Sequence, residues 1–333
     1  MDIDGLRTFV AIAELGGFTR AAARLHRSQP AISRRLGLLE QELGVPLFDR
    51  LRGRARLTEA GAAFRPHAEA ALAALKDGQE AVRDLQSGLS GSLSLALVGT
   101  LADTHIVDTL RRFRERAPGV RLELRTASSA EVTDLVRRGE VTLGLRYFFP
   151  DRADLAIHAA GAEAMLVVAA AGHPSAGRRV RKVGTLSGER WIGFPPVRNE
   201  RDSSGHLLAR LLLRAGLDDA DVTLIDSLTA QKRLAQAGFG LALVPESSVR
   251  DELRQGLLVA LDVPALRAVN PITAIHRRNA YLSPAAKALL ALLTGRPLKP
   301  KRLASVSSPS PAASPATASP SRRRGPRGTP SAR

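Results

Sequence analysis

The chain has 333 residues, 44% of them hydrophobic, with a formal net charge of +17 and a pI near 11.4. That length allows two or three domains with separate cores, and the basic excess suits a polyanionic partner, usually nucleic acid for a chain of this kind. Cysteine is absent, which excludes a disulfide framework, a thiolate zinc site and a thiol nucleophile. The acid-bearing start MDIDGLRTF shows no secretory leader, and apolar runs such as MLVVAAA are too short to span a bilayer, so a cytoplasmic location and no membrane partner are expected.

A first helix is expected over residues 4–16, with Leu6, Phe9, Val10 and Ala13 on one face. The stretch FTRAAARLHRSQPAISRRLGLLEQEL, residues 18–43, then reads as two short helices around a turn at His26 and Arg27. Thr19 is placed as the N-cap of the first and Ser28 as the N-cap of the second, where Pro30 falls in the first turn and its missing N–H costs nothing. Ile32, Leu36, Leu39 and Leu43 recur four, three and four apart, an apolar stripe. The opposite face carries Gln29, Ser33, Arg34 and Arg35, side chains able to reach base edges or phosphates in a groove. Thr19, Arg20, Arg27 and Ser28 flank that face and suit backbone contacts.

After a Gly44-Val45-Pro46 turn, LFDRLRGRARLT alternates Arg50, Arg52, Arg54 and Arg56 with Leu51, Gly53, Ala55 and Leu57. This period of two predicts a two-stranded wing with Gly53 at its tip and the arginines on one side, facing phosphate or the minor groove. From Thr58 to about Leu85 a long alanine-rich helix is expected, with Pro66 tolerated near its start. Phe64, Ala68, Ala71, Leu75, Gly78, Val82 and Leu85 are spaced alternately four and three, a seam that asks for a partner helix.

LRTFVAIAELGGFTRAAARLHRSQPAISRRLGLLEQELGVPLFDR followed by RLTEAG resembles the DNA-binding domain of the LysR-type transcriptional regulators, and the string SQPAIS…LE..LGVPLF is far more specific than a generic helix-turn-helix pattern. The resemblance implies that Gln29, Pro30, Ser33 and Arg34 contact an operator and that the seam on the long helix pairs with a second subunit. It also implies an interrupted palindromic site in double-stranded DNA, a homodimer commonly doubled into a tetramer that bends promoter DNA, and RNA polymerase as a further partner.

QSGLSG marks a hinge, after which strands alternate with helices: SLSLALV, a helix to about Arg116, VRLELR, a helix from Ser128 or Ser129 to Gly139, and VTLGLR. The pattern restarts at EAMLVVAAAGHP and runs through WIGF, a helix over 203–215, DVTLID, SLTAQKRLAQAG, FGLALVP, LLVALDV, ITAIHR and SPAAKALLALLTG. Such alternation predicts a parallel α/β sheet. This order, with LSGERWIGF, QAGFGLALVPES and YLSPAAKALLALL, resembles the family's effector-binding domain, a two-lobed fold similar to periplasmic binding proteins. The fold class expected is thus an N-terminal all-α winged helix-turn-helix, a long linker helix and a C-terminal two-lobed α/β domain. The divisions are 1–58, 59–87 and 91–295, with lobe I at 91–161 and 266–295, lobe II at 162–265, and a basic Pro/Ser/Ala-rich tail at 296–333 expected to be disordered.

Ligands of open α/β sheets bind beyond the carboxyl ends of strands, near helix N-termini. Residues just after strands are therefore the cleft candidates: Gly99, Thr100, Leu101, Ser128, Ser129, Arg146, Phe194, Ser227 and Thr229. The family resemblance implies a small-molecule effector there, often a carboxylate. Three departures stand out. Val98 occupies a position where serine is frequent, Asp103 would repel an anion, and Thr142 and Gly144 replace common family residues in VTLGL. No HExxH, GxSxG or Walker loop occurs and the seven histidines are scattered, so neither an enzyme, a cofactor nor a metal centre is expected.

Overall fold

Helix α1 (Ile3–Leu15) starts where the Asp2 carboxylate accepts a 2.6 Å hydrogen bond from the Gly5 amide, and it ends at Gly16, whose φ of 64° is the left-handed cap that favours glycine. The structure is a computed structural model and describes residues 1–51, 54–87, 91–196 and 203–295. Helix α2 (Phe18–Arg24) begins after Gly17, which caps without a side-chain bond, so Thr19 lies inside the first turn and is not the cap. The extended backbone at Gly17 starts the helix two residues earlier than the Thr19 reading requires. Helix α3 (Gln29–Leu43) is capped by Ser28, whose Oγ accepts from the Ala31 amide at 3.4 Å. Its stripe buries Ile32, Leu36 and Leu39 against Phe9, Ile12, Leu47 and Phe48. Leu43, the last residue before the Gly44 turn, stays 37% exposed and leaves the stripe a turn short.

Strands β1 (Phe48–Leu51) and β2 (Arg54–Leu57) form an antiparallel hairpin. Its register pairs Leu51 with Arg54 and Arg50 with Ala55. Opposed residues of an antiparallel pair share a face, so position 50 lies with Ala55 and Leu57, while positions 54 and 56 lie on the other face. The expectation of four arginines on one side is therefore corrected. The register opposes odd positions to even ones, so positions 50 and 54 fall on opposite faces. Arg52 and Gly53 lie outside the described residues, as do the side chains of Arg50 and Arg54.

Helix α4 (Glu59–Ser87) is capped by Thr58, whose Oγ accepts from the Gly61 amide at 3.0 Å. Its first turns belong to the N-terminal core: Ala68 is buried there, and the Phe64 ring meets Phe9 edge-on at 5.2 Å. Gly61 passes so near the Leu47 carbonyl that a Cβ would stand 2.1 Å from that oxygen. Among the described residues, no helix is long and apolar enough to cross a membrane.

Beyond residue 90 the described residues build one nine-stranded sheet, ordered β4-β3-β5-β11-β6-β9-β7-β8 with β10 paired to β6. The first part contains β3 (Gly91–Val98), α5 (Ile106–Arg116), β4 (Val120–Ala127), α6 (Ser129–Arg137) and β5 (Leu143–Tyr147). The second contains β7 (Trp191–Gly193), α7 (Ser204–Arg214), β8 (Val222–Leu224), α8 (Leu228–Gln236), β9 (Leu241–Pro245), α9 (Glu246–Arg254) and β10 (Leu258–Leu261). Two strands carry the chain between the parts: β6 (Leu155–Ala170) and β11 (Ala268–Arg277), which is followed by α10 (Pro284–Thr294). They pair antiparallel with each other, and β11 also runs antiparallel to β5, so the sheet is mixed and not wholly parallel. Parallel pairing holds at β3 with β4 and β5, and at β7 with β8 and β9.

Gly144 and Thr142 are explained by packing. A Cβ on Gly144 would stand 2.8 Å from Val132 and Val136, and the Thr142 amide donates to Ser94 Oγ at 3.0 Å. Neither residue faces the ligand cleft of the C-terminal domain. The tail beyond residue 295 lies outside the described residues.

Candidate nucleic-acid interface and ligand cleft

The exposed surface of α3 begins with its cap. Ser28, Gln29, Pro30 and Arg34 are exposed and Ser33 is half-buried, while Thr19, Arg20 and Arg27 are exposed beside them. Gln29 Nε2 donates to Ser33 Oγ at 3.2 Å, which places both on one face a single turn apart. Arg27 and Arg34 have no ion-pair partner among the described residues, and both border a surface groove with Arg7 and Leu38. Arg35 differs, because its guanidinium binds Asp4 at 2.5 Å and Asp2 at 3.5 Å. That pairing holds α3 to the start of α1, and Arg35 borders the same groove as Arg27 and Arg34. The hairpin stands beside α1, with the Ala55 amide donating to the Gly16 carbonyl at 3.3 Å and Arg56 exposed. An exposed polar first turn at a capped helix N-terminus, with unpaired guanidinium groups on both sides, can bind phosphate and read base edges.

The seam expected on α4 divides in two. Phe64 and Ala68 are packed into their own N-terminal core, so their assignment to a subunit seam is corrected: the helix needs that half to hold the reading head. Ala71 and Val82 are exposed, Val82 at 61%, and Leu75 is half-buried; the Leu85 side chain lies outside the described residues. A further face of α4 meets the C-terminal domain. Asp77 accepts from Arg277 Nη2 at 2.7 Å and from the Tyr281 amide at 3.3 Å, and Lys76 Nζ donates to the Gly139 carbonyl at 3.1 Å. Gly139, at φ 69°, has no room for a side chain, because a Cβ would stand 2.7 Å from Ala73 Cβ.

At the carboxyl ends of β3, β4 and β5 lies a cleft of about 600 Å3. Gly99, Thr100, Ser128, Ser129, Phe194 and Thr229 line it as expected. Leu101, Arg146 and Ser227 do not. Leu101 is fully buried in the core, and Ser227 serves as the α8 cap, accepting from the Ala230 amide at 3.3 Å. Arg146 is buried on the far face of β5, where Nη1 donates to Thr133 Oγ1 at 2.5 Å and Nε to the Tyr147 carbonyl at 3.0 Å. Strand alternation gives the cleft face to the next residue, Tyr147, which lines the wall.

Tyr147 centres a buried chain of hydrogen bonds. Thr100 Oγ1 donates to its hydroxyl at 3.2 Å, the hydroxyl donates to Glu163 Oε2 at 2.6 Å, and the Ser247 hydroxyl and amide donate to Glu163 Oε1. Burial, then the Glu163 carboxylate, holds the Tyr147 phenol protonated well above the usual tyrosine range. Glu163 thus ties β5 in the first part to the start of α9 in the second. Sequence reasoning missed Tyr147, Glu163, Met165 and the Ser203–Ser204 pair at the α7 N-terminus. Counting faces along β5 would have found Tyr147, whereas Glu163 is joined to the site only by tertiary pairing.

Known proteins share this anatomy. Residues 3–62 match the family model of bacterial regulatory helix-turn-helix proteins of the lysR family, and residues 86–297 match the LysR substrate binding domain. The chain is 32% identical over 250 residues to the HTH-type transcriptional regulator TfdS of Cupriavidus pinatubonensis (strain JMP 134 / LMG 1197), covering 74% of this chain and 83% of that one. It is 29% identical over 283 residues to the RuBisCO operon transcriptional regulator of Allochromatium vinosum, covering 85% and 92%. Among solved structures it resembles CbnR, a LysR family transcriptional regulator, with TM-score 0.62 and 26% identity over 90% of this chain and all of that one. Full-length CbnR complexed with its target DNA gives TM-score 0.60 and 27% identity over 88% and 99%. With a reading head at its N-terminus, a cleft in its C-terminal domain and family models matched across both, this chain belongs to the LysR family of DNA-binding transcriptional regulators.

Proposed function

We propose that the chain acts as a homodimer, doubled into a tetramer, that sets two copies of α3 into successive major-groove faces of an interrupted palindrome. Gln29, Ser33 and Arg34 read bases; Thr19, Arg20, Arg27, Ser28, Pro30, Arg35 and the hairpin arginines Arg50, Arg52 and Arg54 hold the backbone. In this reading residues 1–58 form the reading head, 59–87 the rod that pairs subunits through Ala71, Leu75 and Val82, and 91–295 the effector domain. The effector sits in the cleft lined by Thr100, Ser128 and Tyr147, and it shifts the assembly only by binding one arrangement more tightly than another. The regulator works in the cytoplasm at the nucleoid, alongside RNA polymerase. The observation that carries the reading is the exposed polar face of α3, with Gln29 and Ser33 one turn apart and Arg34 unpaired beside them. That CbnR has been crystallised with its target DNA supports the same use of this fold.

Selection of duplexes from a random pool, followed by footprinting, tests it. The expected result is a pair of protected half-sites separated by about one helical turn, roughly 34 Å, or a multiple of it. Failure to retain any duplex at low salt would overturn the reading.

A further inference from the structure

The cleft proposed as the effector site carries charge of one sign, and the ligand class inferred from that charge rests on the effector-site reading. Asp103, Glu131 and Asp226 line it, and among the described lining residues there is no lysine, arginine or histidine. Behind the Tyr147 wall stands Glu163, only 7% exposed. Its donors are the Tyr147 hydroxyl and the Ser247 hydroxyl and amide, all neutral, and no cation among the described residues pairs with it.

Helix N-termini would ordinarily offset this by welcoming an anion, yet part of each first turn here is already occupied. At α6, Ser128 Oγ accepts from the Glu131 amide while the Glu131 carboxylate accepts from the Ser128 amide at 2.9 Å. At α8 and α7 the Ser227 and Ser203 hydroxyls accept from the Ala230 and His206 amides. Burial first, and then Glu163 and Asp103, push the Tyr147 phenol upward, against the hydrogen bond from Thr100. The remaining wall is largely apolar, with Val98, Met165, Phe194 and Pro245.

We infer that this cleft admits a small organic cation, an amine on an apolar body, and turns away small carboxylates. An ammonium group finds the Asp103, Asp226 and Tyr147 oxygens at the strand ends, and the apolar body lies against Val98, Met165 and Phe194. A carboxylate on the same body meets like charge from every acidic group named.

Calorimetric titration and thermal shift of the full chain with phenethylamine and with 3-phenylpropanoate, one body with opposite charges, separate the outcomes, and linear, branched and cyclic amine–acid pairs complete the panel. Amines are expected to raise the melting temperature saturably and their matched acids not to. Asp103→Asn with Asp226→Asn should weaken amine binding about three- to tenfold. Gly99→Phe, where an added Cβ meets no heavy atom within 4 Å, fills the cleft and should abolish it. An acid that binds and is lost in Gly99→Phe keeps the cleft as the effector site and overturns its charge class. Amine binding that survives Gly99→Phe lies elsewhere and overturns the inference. A panel with no response of either sign sinks the effector-cleft reading itself.

Discussion

The Arg34 side chain stands exposed on α3 with no ion-pair partner among the described residues, whereas Arg35, one position on, reaches Asp4 at 2.5 Å. The two substitutions should therefore separate binding from stability. Arg34→Ala is expected to cost about 1–3 kcal/mol at the operator and to relax base preference at the position it reads. Quantitative footprinting on matched and mismatched sites measures both effects, and unchanged protection would refute the assignment. Arg35→Ala removes a partly exposed ion pair and should lower stability by less than about 1 kcal/mol. A denaturant melt checks this, and base preference should be unaltered. The same contrast holds at the cleft, where Arg146 is engaged beneath the sheet and Tyr147 shapes the wall.

Along the elements, α4 has three tasks on one helix. Phe64 and Ala68 hold the reading head, Ala73 and Asp77 meet the C-terminal domain, and Ala71, Leu75 and Val82 remain for a second subunit. Replacing Leu75 and Val82 with aspartate should halve the mass seen by light scattering while leaving the melt of the monomer intact. Phe64→Ala should instead loosen the N-terminal core, at a cost on the order of 3 kcal/mol, visible in a chemical melt. An unaltered mass in the first variant would count against the seam.

The heptad spacing could reveal the helix but not this division of its faces, since Phe64 and Val82 look alike in a pattern of apolar positions. Of the two caps read from the sequence, Ser28 caps its helix and Thr19 does not, while Thr58, Ser128 and Ser227 also cap the helices that begin after them. What escaped was set by pairing. The first half of β6, LAIHAAGA, is short of the bulky β-formers that mark a strand, and it is held there by β11. β11 itself begins before the expected ITAIHR, because Pro271 reads as a stop yet sits beside the irregularity at Ile272 and Thr273. Helix α9 went unread between two expected strands although Val249 and Leu253 give it an inner face.

Across the whole molecule, acid is expected to loosen the frame between β6 and β11. His158 and His276 stack with ring centroids 5.2 Å apart, and their Nε2 atoms are 3.1 Å apart. His276 Nδ1 donates to the Arg277 carbonyl, so its Nε2 offers a lone pair to the proton on His158 Nε2. Burial lowers both histidines below the usual value near 6.5; at His276 the hydrogen bond to the Arg277 carbonyl opposes this and the His158 and Arg277 charges add to it. Below about pH 6.5 the unfolded chain takes up protons that the native pair refuses, so stability present at neutral pH declines as pH falls toward the native values. Thermal melts between pH 7.5 and 5 should show this decline, and His158→Gln with His276→Gln should flatten it. An equal slope in the double variant would exclude the pair as its source.

The Asp77 carboxylate grips Arg277 and the Tyr281 amide, and Ala73 nests against Gly139. All three of those contacts fall on the part of the C-terminal domain that also supplies Gly99, Thr100 and Ser128. One jaw of the guest chamber is therefore clamped to the shaft that bears the reading head. Seen from the operator, a guest in that chamber touches a wall tied by three contacts to the shaft behind the reading head.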